Sequence, residues 1–280
     1  MATSETRRPV RPTRVTAHAV LAVGAALMAF PFVWQLLMSV STLSEVRSVP
    51  PTVLPASPQW GNYLEVFDRL PFFAQFGVTV LITLIRTIGQ VVTATLAGYA
   101  FARMRFVGRG PLLAVILATL MVPSQVYLLS QYQIIQALGW LDTVAGIVAP
   151  GLFSAFAIFL MYVAFRGLPN ELEEAARLDG ASPVRTFRSV MLPLVRPSIS
   201  VVVITTVLWS WNDLLWPLVV STYDDRMPIA VGLATLISNK NNVDYPLVMA
   251  ASTLALLPIV VVFVVFQRRV IEGLAYTGMK

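Results

Sequence analysis

The stretch PFFAQFGVTVLITLIRTIGQVVTATLAGYAFA, residues 71–102, indicates the fold class. Its 32 residues include one charged side chain, that of Arg86. An α-helix rises about 1.5 Å per residue, so about 20 apolar residues cross the roughly 30 Å hydrocarbon layer of a bilayer. This stretch is longer than that requirement. We therefore interpret it as a transmembrane helix.

Five further runs are long and apolar enough to span a bilayer, and the only charged residue in them is Asp213. They occupy residues 15–44, 110–141, 143–165, 197–223 and 245–267. Together with the first stretch they predict an all-α polytopic membrane protein with six transmembrane helices. The expected spans are about 17–40, 73–98, 111–131, 144–165, 198–220 and 246–266.

The composition excludes an ordinary soluble enzyme and a disordered chain. Of the 280 residues, 57% are hydrophobic and 12% are charged, which is about half the charged share of a globular domain. The absence of cysteine and the single histidine exclude disulfides, thiolate nucleophiles and a histidine-based metal centre. The sequence has no G-x-x-x-x-G-K-[ST] phosphate loop and no Ser/His/Asp set. We therefore expect no catalytic residue, no metal site and no cofactor bound by this chain.

Lys and Arg residues are distributed unevenly between the two sides of the predicted bundle. With the N-terminus inside, 15 of the 20 lie on the cytoplasmic side, four lie outside and one lies within a span. This bias places both termini in the cytoplasm, and it accounts for the net charge of +6 without a nucleic-acid partner. The first apolar run is too long for a cleaved signal peptide, so it is expected to remain as a helix. The predicted parts are a basic tail at 1–16, a transmembrane domain at 17–267 with a cytoplasmic loop at 166–197, and a C-terminal tail at 268–280.

The cytoplasmic loop is predicted to form two short capped helices. The expected cap and stop residues are Asn170 with Glu173 in a capping box, Gly180 after the first helix, and Ser182 with Pro183 at the start of the second. The expected apolar stripe of the second helix consists of Val184, Phe187 and Val190. Two arrangements fit this pattern equally. The hairpin could insert into a groove of another protein, or it could pack on the membrane domain of this chain.

Polar side chains at membrane depth are costly and therefore point to function. Arg86 would cost about 2.5–3.5 kcal/mol facing lipid, so we expect it to face protein or a cavity, paired with an acid on another subunit. Tryptophan faces, amides and carboxylates suit sugars, although Trp also marks the interfaces of membrane proteins in general. The candidate residues of a solute path are Arg86, Gln125, Tyr127, Gln131, Trp211, Asn212 and Asp213.

The loop also carries a motif. Glu174-Ala175-Ala176, followed by Gly180 and then by Leu192-Pro193, resembles the EAA loop of ABC importer permeases, E-A-A-x3-G-x9-I-x-L-P, with Val190 in place of Ile. Four other segments are similar to those of carbohydrate-type permeases, and in particular to the maltose-type second permease. They are QWGNYLEVF (59–67), AGYAFARMRFVGRG (97–110), WSWNDLLWPL (209–218) and QRRVIEGLAYTGMK (267–280).

This resemblance implies the type I ABC importer permease fold in a bacterial cell membrane. It implies a second related permease, a homodimeric ATPase that binds ATP and Mg, an extracytoplasmic solute-binding protein and membrane lipid as partners. The residues that it assigns to coupling with the ATPase are Glu174, Ala175, Ala176, Asp179, Gly180, Phe187 and Pro193. The implied solute is a sugar or oligosaccharide. A glycerol phosphodiester, an amino sugar or a polyol is the alternative solute, and an ATP-independent carrier or channel is the rival class.

Overall fold

The computed structural model describes residues 12–50, 52–238 and 243–278. Within these ranges the chain forms helices, turns and bends and no β-strand, which agrees with the predicted all-α class. The α-helices are Pro12–Ser39 (α1), Leu43–Arg47 (α2), Gly61–Arg69 (α3), Phe72–Arg103 (α4), Arg109–Ala118 (α5), Leu128–Ala137 (α6), Val144–Val148 (α7), Ala155–Arg166 (α8), Glu171–Leu178 (α9), Pro183–Thr186 (α10), Leu192–Leu194 (α11), Arg196–Trp211 (α12), Leu215–Val220 (α13), Ile229–Ser238 (α14) and Tyr245–Gly278 (α15). Three 3₁₀ turns, Thr119–Met121, Ser124–Tyr127 and Ala149–Gly151, and one π-helical turn, Phe187–Met191, lie between them.

The chain divides into two compact units, and the smaller comprises residues 1–66 and 239–254. Within it, the side chain of Asn62 donates hydrogen bonds to the carbonyls of Ser39 and Ser41, at the end of α1. These bonds satisfy carbonyls that a helix end leaves without partners.

The larger unit comprises residues 67–238 and 255–280, and its core lies where α4 packs against α8 and α12. Gly98 allows α4 and α8 to approach closely, because a Cβ atom there would lie 2.6 Å from Cβ of Met161 and 2.8 Å from its backbone carbonyl carbon. Met161 and Phe165 of α8 are fully buried in this contact. The α4 stretch that indicated the fold class is therefore the central helix of the unit.

The predicted third span, 111–131, is not one straight helix. Helical segments 109–121 and 124–137 meet at an angle of 96°. Pro123 explains the break, because it cannot donate a backbone hydrogen bond and it excludes the preceding residue from helical geometry. Val122 is accordingly extended, with φ −94° and ψ 116°.

The predicted fifth span, 198–220, is also interrupted. Helix α12 ends at Trp211 and α13 begins at Leu215. Pro217 has no N–H with which to bond the carbonyl of residue 213, and its ring would clash with that carbonyl in a continuous helix. The interruption falls at the one acidic residue of the predicted spans, Asp213.

Two of the described helices, 15–39 and 72–103, are individually long and apolar enough to cross a membrane, and up to five crossings result if each bent pair is one span. The count of six spans and the orientation stay predictions. Part of the predicted N-terminal tail, residues 1–11, lies outside the described residues, as do residues 279–280 at the other end. The backbone of 268–278 continues α15.

Candidate functional site

Arg86, near the middle of α4, is held by groups from two other segments. Its Nη1 lies 2.7 Å from Oδ2 of Asp213, and its Nη2 donates a 2.6 Å hydrogen bond to the carbonyl of Ile147. The Arg86 side chain is 7% exposed and that of Asp213 is 24% exposed. The expectation that Arg86 faces protein is confirmed. The expectation of a partner on another subunit is wrong, because the interruption after α12 brings Asp213 of the same chain to the guanidinium.

Gly151 makes room for this pair. A Cβ atom at that position would lie 2.6 Å from Nε of Arg86 and 3.0 Å from its Cδ. The guanidinium therefore lies against a bare backbone in the 3₁₀ turn Ala149–Gly151. Since the Arg86 side chain is held at both Nη atoms, it cannot move aside at low cost.

A cavity of about 710 Å³ opens beside the ion pair, within the range of about 300–1,000 Å³ usual for small-molecule sites. Four of the seven predicted path residues line it: Arg86, Tyr127, Gln131 and Asp213. The other three do not. Gln125 is exposed outside the cavity, Asn212 donates to Leu208 of its own helix, and the indole of Trp211 is buried and donates to the carbonyl of Ala255.

The sequence interpretation missed Gln90, Thr206 and Ser210 among the lining residues, and it treated Trp209 and Trp216, which also line the cavity, only as aromatic flanks of Asn212 and Asp213. Helical spacing carries a signal for some of them. Gln90 follows Arg86 by four positions on α4, and Ser210 follows Thr206 by four on α12, so each pair shares a helix face. A hydrogen bond joins the two faces: Thr206 donates to Oε1 of Gln90 at 2.8 Å. Nε2 of Gln90 in turn donates to the carbonyl of Gly151 at 2.8 Å, in the 3₁₀ turn beside the ion pair.

A second feature is the hairpin formed by α9 and α10, residues 171–186. Ser182 caps α10 by accepting a hydrogen bond from the Arg185 N–H, and Pro183 occupies the first position, as predicted. Gly180 ends the first helix with φ +76°, a left-handed conformation that glycine adopts without strain, also as predicted. The capping box at Asn170 is wrong. Its φ and ψ are helical and its side chain accepts a hydrogen bond from Arg103 instead.

Arg103, the last residue of α4, holds the segment that leads from α8 into the hairpin. Its guanidinium donates to the carbonyl of Phe165 at 3.0 Å from Nε and 2.7 Å from Nη2, and also to the Leu168 carbonyl and the Asn170 amide oxygen. Glu173 of α9 is 3.9 Å away and its side chain is 10% exposed. Sequence reasoning missed Arg103, because the residues that it bonds lie more than 60 positions further along the chain.

The hairpin has a buried side and an exposed side. Ala176 is buried, and Phe187, directly after α10, packs against Tyr99 with ring centroids 4.8 Å apart. Leu178 is 89% exposed and Val184 is 65% exposed, so the predicted apolar stripe is not buried along its whole length. Of the predicted coupling residues, the exposed ones are Glu174, Ala175, Asp179 and Gly180, and the buried or half-buried ones are Ala176, Phe187 and Pro193. The hairpin thus packs on its own chain with one side and leaves the other side open.

Comparison with known proteins identifies the family. The family described as binding-protein-dependent transport system inner membrane component matches residues 90–275. The chain is 32% identical over 267 residues to the arabinooligosaccharides transport system permease protein AraQ of Halalkalibacterium halodurans, covering 93% of this chain and 95% of that protein. It is 33% identical over 283 aligned positions to the sn-glycerol-3-phosphate transport system permease protein UgpE of Agrobacterium fabrum, covering 96% and 98%.

A solved structure has the same fold. It is a crystal structure of a bacterial ABC transporter involved in the import of the acidic polysaccharide alginate, and one of its chains superposes with a TM-score of 0.80 at 22% identity, covering 94% of this chain and 99% of that one. The resemblance drawn from the EAA-like loop is confirmed, and the chain belongs to the binding-protein-dependent transport system inner membrane components, the permease subunits of ABC importers.

Proposed function

We propose that this chain is one of two permeases of an ATP-driven, binding-protein-dependent importer of a sugar or oligosaccharide. Its partners are a second related permease, two copies of an ATPase and an extracytoplasmic solute-binding protein. The observation that supports the ATPase partner is the two-sided hairpin: Ala176 is buried on one side, whereas Leu178 is 89% exposed and Val184 65% exposed. Exposed apolar surface with a polar rim marks protein interaction sites, and the acids Glu174 and Asp179 are exposed on the same hairpin.

In this proposal the ATPase binds ATP and Mg and supplies the energy, since the sequence of this chain has no phosphate-binding loop. Closure of the ATPase dimer pushes on the hairpin at Glu174–Gly180. Arg103 at the end of α4 holds the segment that leads from α8 into the hairpin by charge-assisted hydrogen bonds to Phe165, Leu168 and Asn170, and such bonds are stronger than neutral ones. A displacement of the hairpin therefore moves the membrane helices as a body, as in other rocking transporters.

The solute class follows from the cavity and from the relatives. Exposed polar groups and the open ring of Trp209, 62% exposed, suit a sugar, which presents hydroxyls and apolar C–H faces. The second candidate solute is glycerol 3-phosphate, because the permease from Agrobacterium fabrum named for it is as similar to this chain as the arabinooligosaccharide permease is.

The test is purification of the tagged chain from its native membrane in mild detergent, followed by identification of the proteins that co-elute. We expect an ATPase, a second permease and a binding protein in stoichiometric amounts. Liposomes containing the purified material should take up solute only with ATP inside. Uptake by the chain alone without an ATPase would replace the importer with a carrier or channel.

A further inference from the structure

The cavity beside Arg86 and Asp213 has no net formal charge. Among the described residues that line it, these two are the charged ones, and they form a 2.7 Å ion pair with each other. The other Nη of Arg86 donates to the Ile147 carbonyl. Arginine binds phosphate through its positive charge and two parallel N–H donors. Here Asp213 compensates the charge of Arg86, and the two contacts fix the orientation of its guanidinium.

The remaining polar groups of the cavity are neutral. The side chains of Tyr127 and Gln131 make no hydrogen bond with any residue that the structure describes, and both are at least partly exposed on the wall. These groups are donors and acceptors of the kind that hydroxyls satisfy.

Resting on the proposed function, we infer that this cavity is a subsite for a neutral, polyhydroxylated solute and that the Arg86–Asp213 pair excludes anionic phosphoesters from it. A phosphate group that entered would lose hydration and find an arginine whose charge Asp213 already compensates. A neutral sugar loses less hydration and gains hydrogen bonds from Gln131 and Tyr127 and contact with the ring of Trp209. Between the two kinds of relative, the cavity thus selects the oligosaccharide class.

The test uses cysteine labelling, since the chain has no cysteine of its own. Gln131→Cys places a thiol on the cavity wall of the full chain, in native membranes with its partners present. Three methanethiosulfonates of similar size serve as probes: hydroxyethyl (neutral), sulfonatoethyl (anionic) and trimethylammonioethyl (cationic). Each labelling rate is divided by that of the same reagent with free mercaptoethanol. Gln125→Cys, exposed outside the cavity, is the control position.

With the pair intact, we expect the neutral reagent to label Gln131→Cys, and the normalised anionic and cationic rates to agree within about threefold. Adding Asp213→Asn leaves the charge of Arg86 uncompensated. The ratio of anionic to cationic rates should then rise at least about tenfold, since one unit charge a few ångströms away changes each rate severalfold even at high effective dielectric. The double change Arg86→Gln with Asp213→Asn removes both charges and should return the ratio to its starting value. Gln125→Cys should show no change in any of these backgrounds.

Two results would overturn the inference. One is no labelling of Gln131→Cys by any reagent, which would show that solutes do not reach the cavity. The other is preferential labelling by the anionic reagent with the pair intact, which would show an electropositive site suited to phosphate. Both readings come from the chain without Asp213→Asn, so they stand even if that variant fails to assemble. A chain that co-purifies with its ATPase yet prefers the anionic reagent would keep the proposed function and lose this subsite.

Discussion

Replacing Arg103 with methionine tests whether the tie between α4 and the hairpin transmits force. Methionine keeps much of the apolar volume of the stem and removes the guanidinium. The change deletes both contacts with the Phe165 carbonyl, together with those to Leu168 and Asn170. It also removes the cation 3.9 Å from Glu173, which keeps Arg177 at 3.8 Å.

The expected cost can be worked from these contacts. Hydrogen bonds to charged groups contribute about 1.5–3 kcal/mol each, and the Arg103 guanidinium makes four of them to Phe165, Leu168 and Asn170. The Arg103 side chain is 7% exposed, so solvent replaces few of these bonds. A loss of about 3 kcal/mol lowers the ratio of anchored to detached hairpin more than a hundredfold. The hairpin would still reach the ATPase through its exposed side, but it would no longer move α4 with it.

The assay measures solute uptake and ATP hydrolysis by the complete complex in liposomes. We expect Arg103→Met to lower the number of solute molecules moved per ATP at least about tenfold, while hydrolysis continues and the subunit reaches the membrane at normal levels. Arg105→Met is the matched control, because Arg105 is exposed, lies two positions away and loses the same charge. If Arg103→Met transported as many molecules per ATP as Arg105→Met, the mechanical role of the tie would be refuted.

Three further predictions follow from local geometry. Gly98→Ala should lower the free energy of unfolding in detergent by about 1–3 kcal/mol, because the added methyl group overpacks α4 against α8. Gly77→Ala lies on the same helix with open space around it and should be neutral or slightly stabilising. Equal effects of the two changes would contradict the close contact at Gly98. Glu174→Lys should reduce the number of solute molecules moved per ATP at least about tenfold, whereas Glu171→Lys should reduce it little. Both are exposed acids in the first turn of α9, so both variants change the charge at that helix end in the same way and only the position differs. The backbone N–H groups of Thr42 and Ala56 hold the pKa of Glu45 below its ordinary 4.5. Glu45 therefore contributes fully to the stability of this loop above that pH, and the contribution is lost as the pH falls through the lowered pKa. Amide protection factors in the loop, corrected for the intrinsic pH dependence of exchange, should fall there, and Glu45→Gln should show the lower protection already at neutral pH.

The sequence predicted what depends on local patterns. Apolar run length predicted the membrane class, and the caps at Ser182 and Gly180 follow from turn chemistry that a few neighbouring residues determine. The partner of Arg86 could not be predicted in this way, because Asp213 lies 127 positions away and its placement depends on where α12 is interrupted. At Asn170 the local pattern gave a wrong prediction. It favoured a helix cap, but the Asn170 side chain accepts a long-range hydrogen bond from Arg103 instead.

The cavity at Arg86 and the anchor of the hairpin at Arg103 are connected by one helix, α4. Arg86 and Arg103 lie 17 positions apart on α4, which corresponds to about 26 Å along its axis. Each arginine is buried and fixed to carbonyls of segments that follow in the chain, the first near α7 and the second at the end of α8. No proline interrupts α4 between them, whereas the neighbouring helical segments break at Pro123 and Pro217. The hairpin therefore cannot shift while the cavity wall stays in place unless α4 bends or one arginine gives up its hydrogen bonds. Giving up the hydrogen bonds of a buried arginine costs several kcal/mol, and α4 has no proline at which a sharp bend would form. Joint movement of the hairpin and the cavity wall is therefore the favoured response to a force on the hairpin.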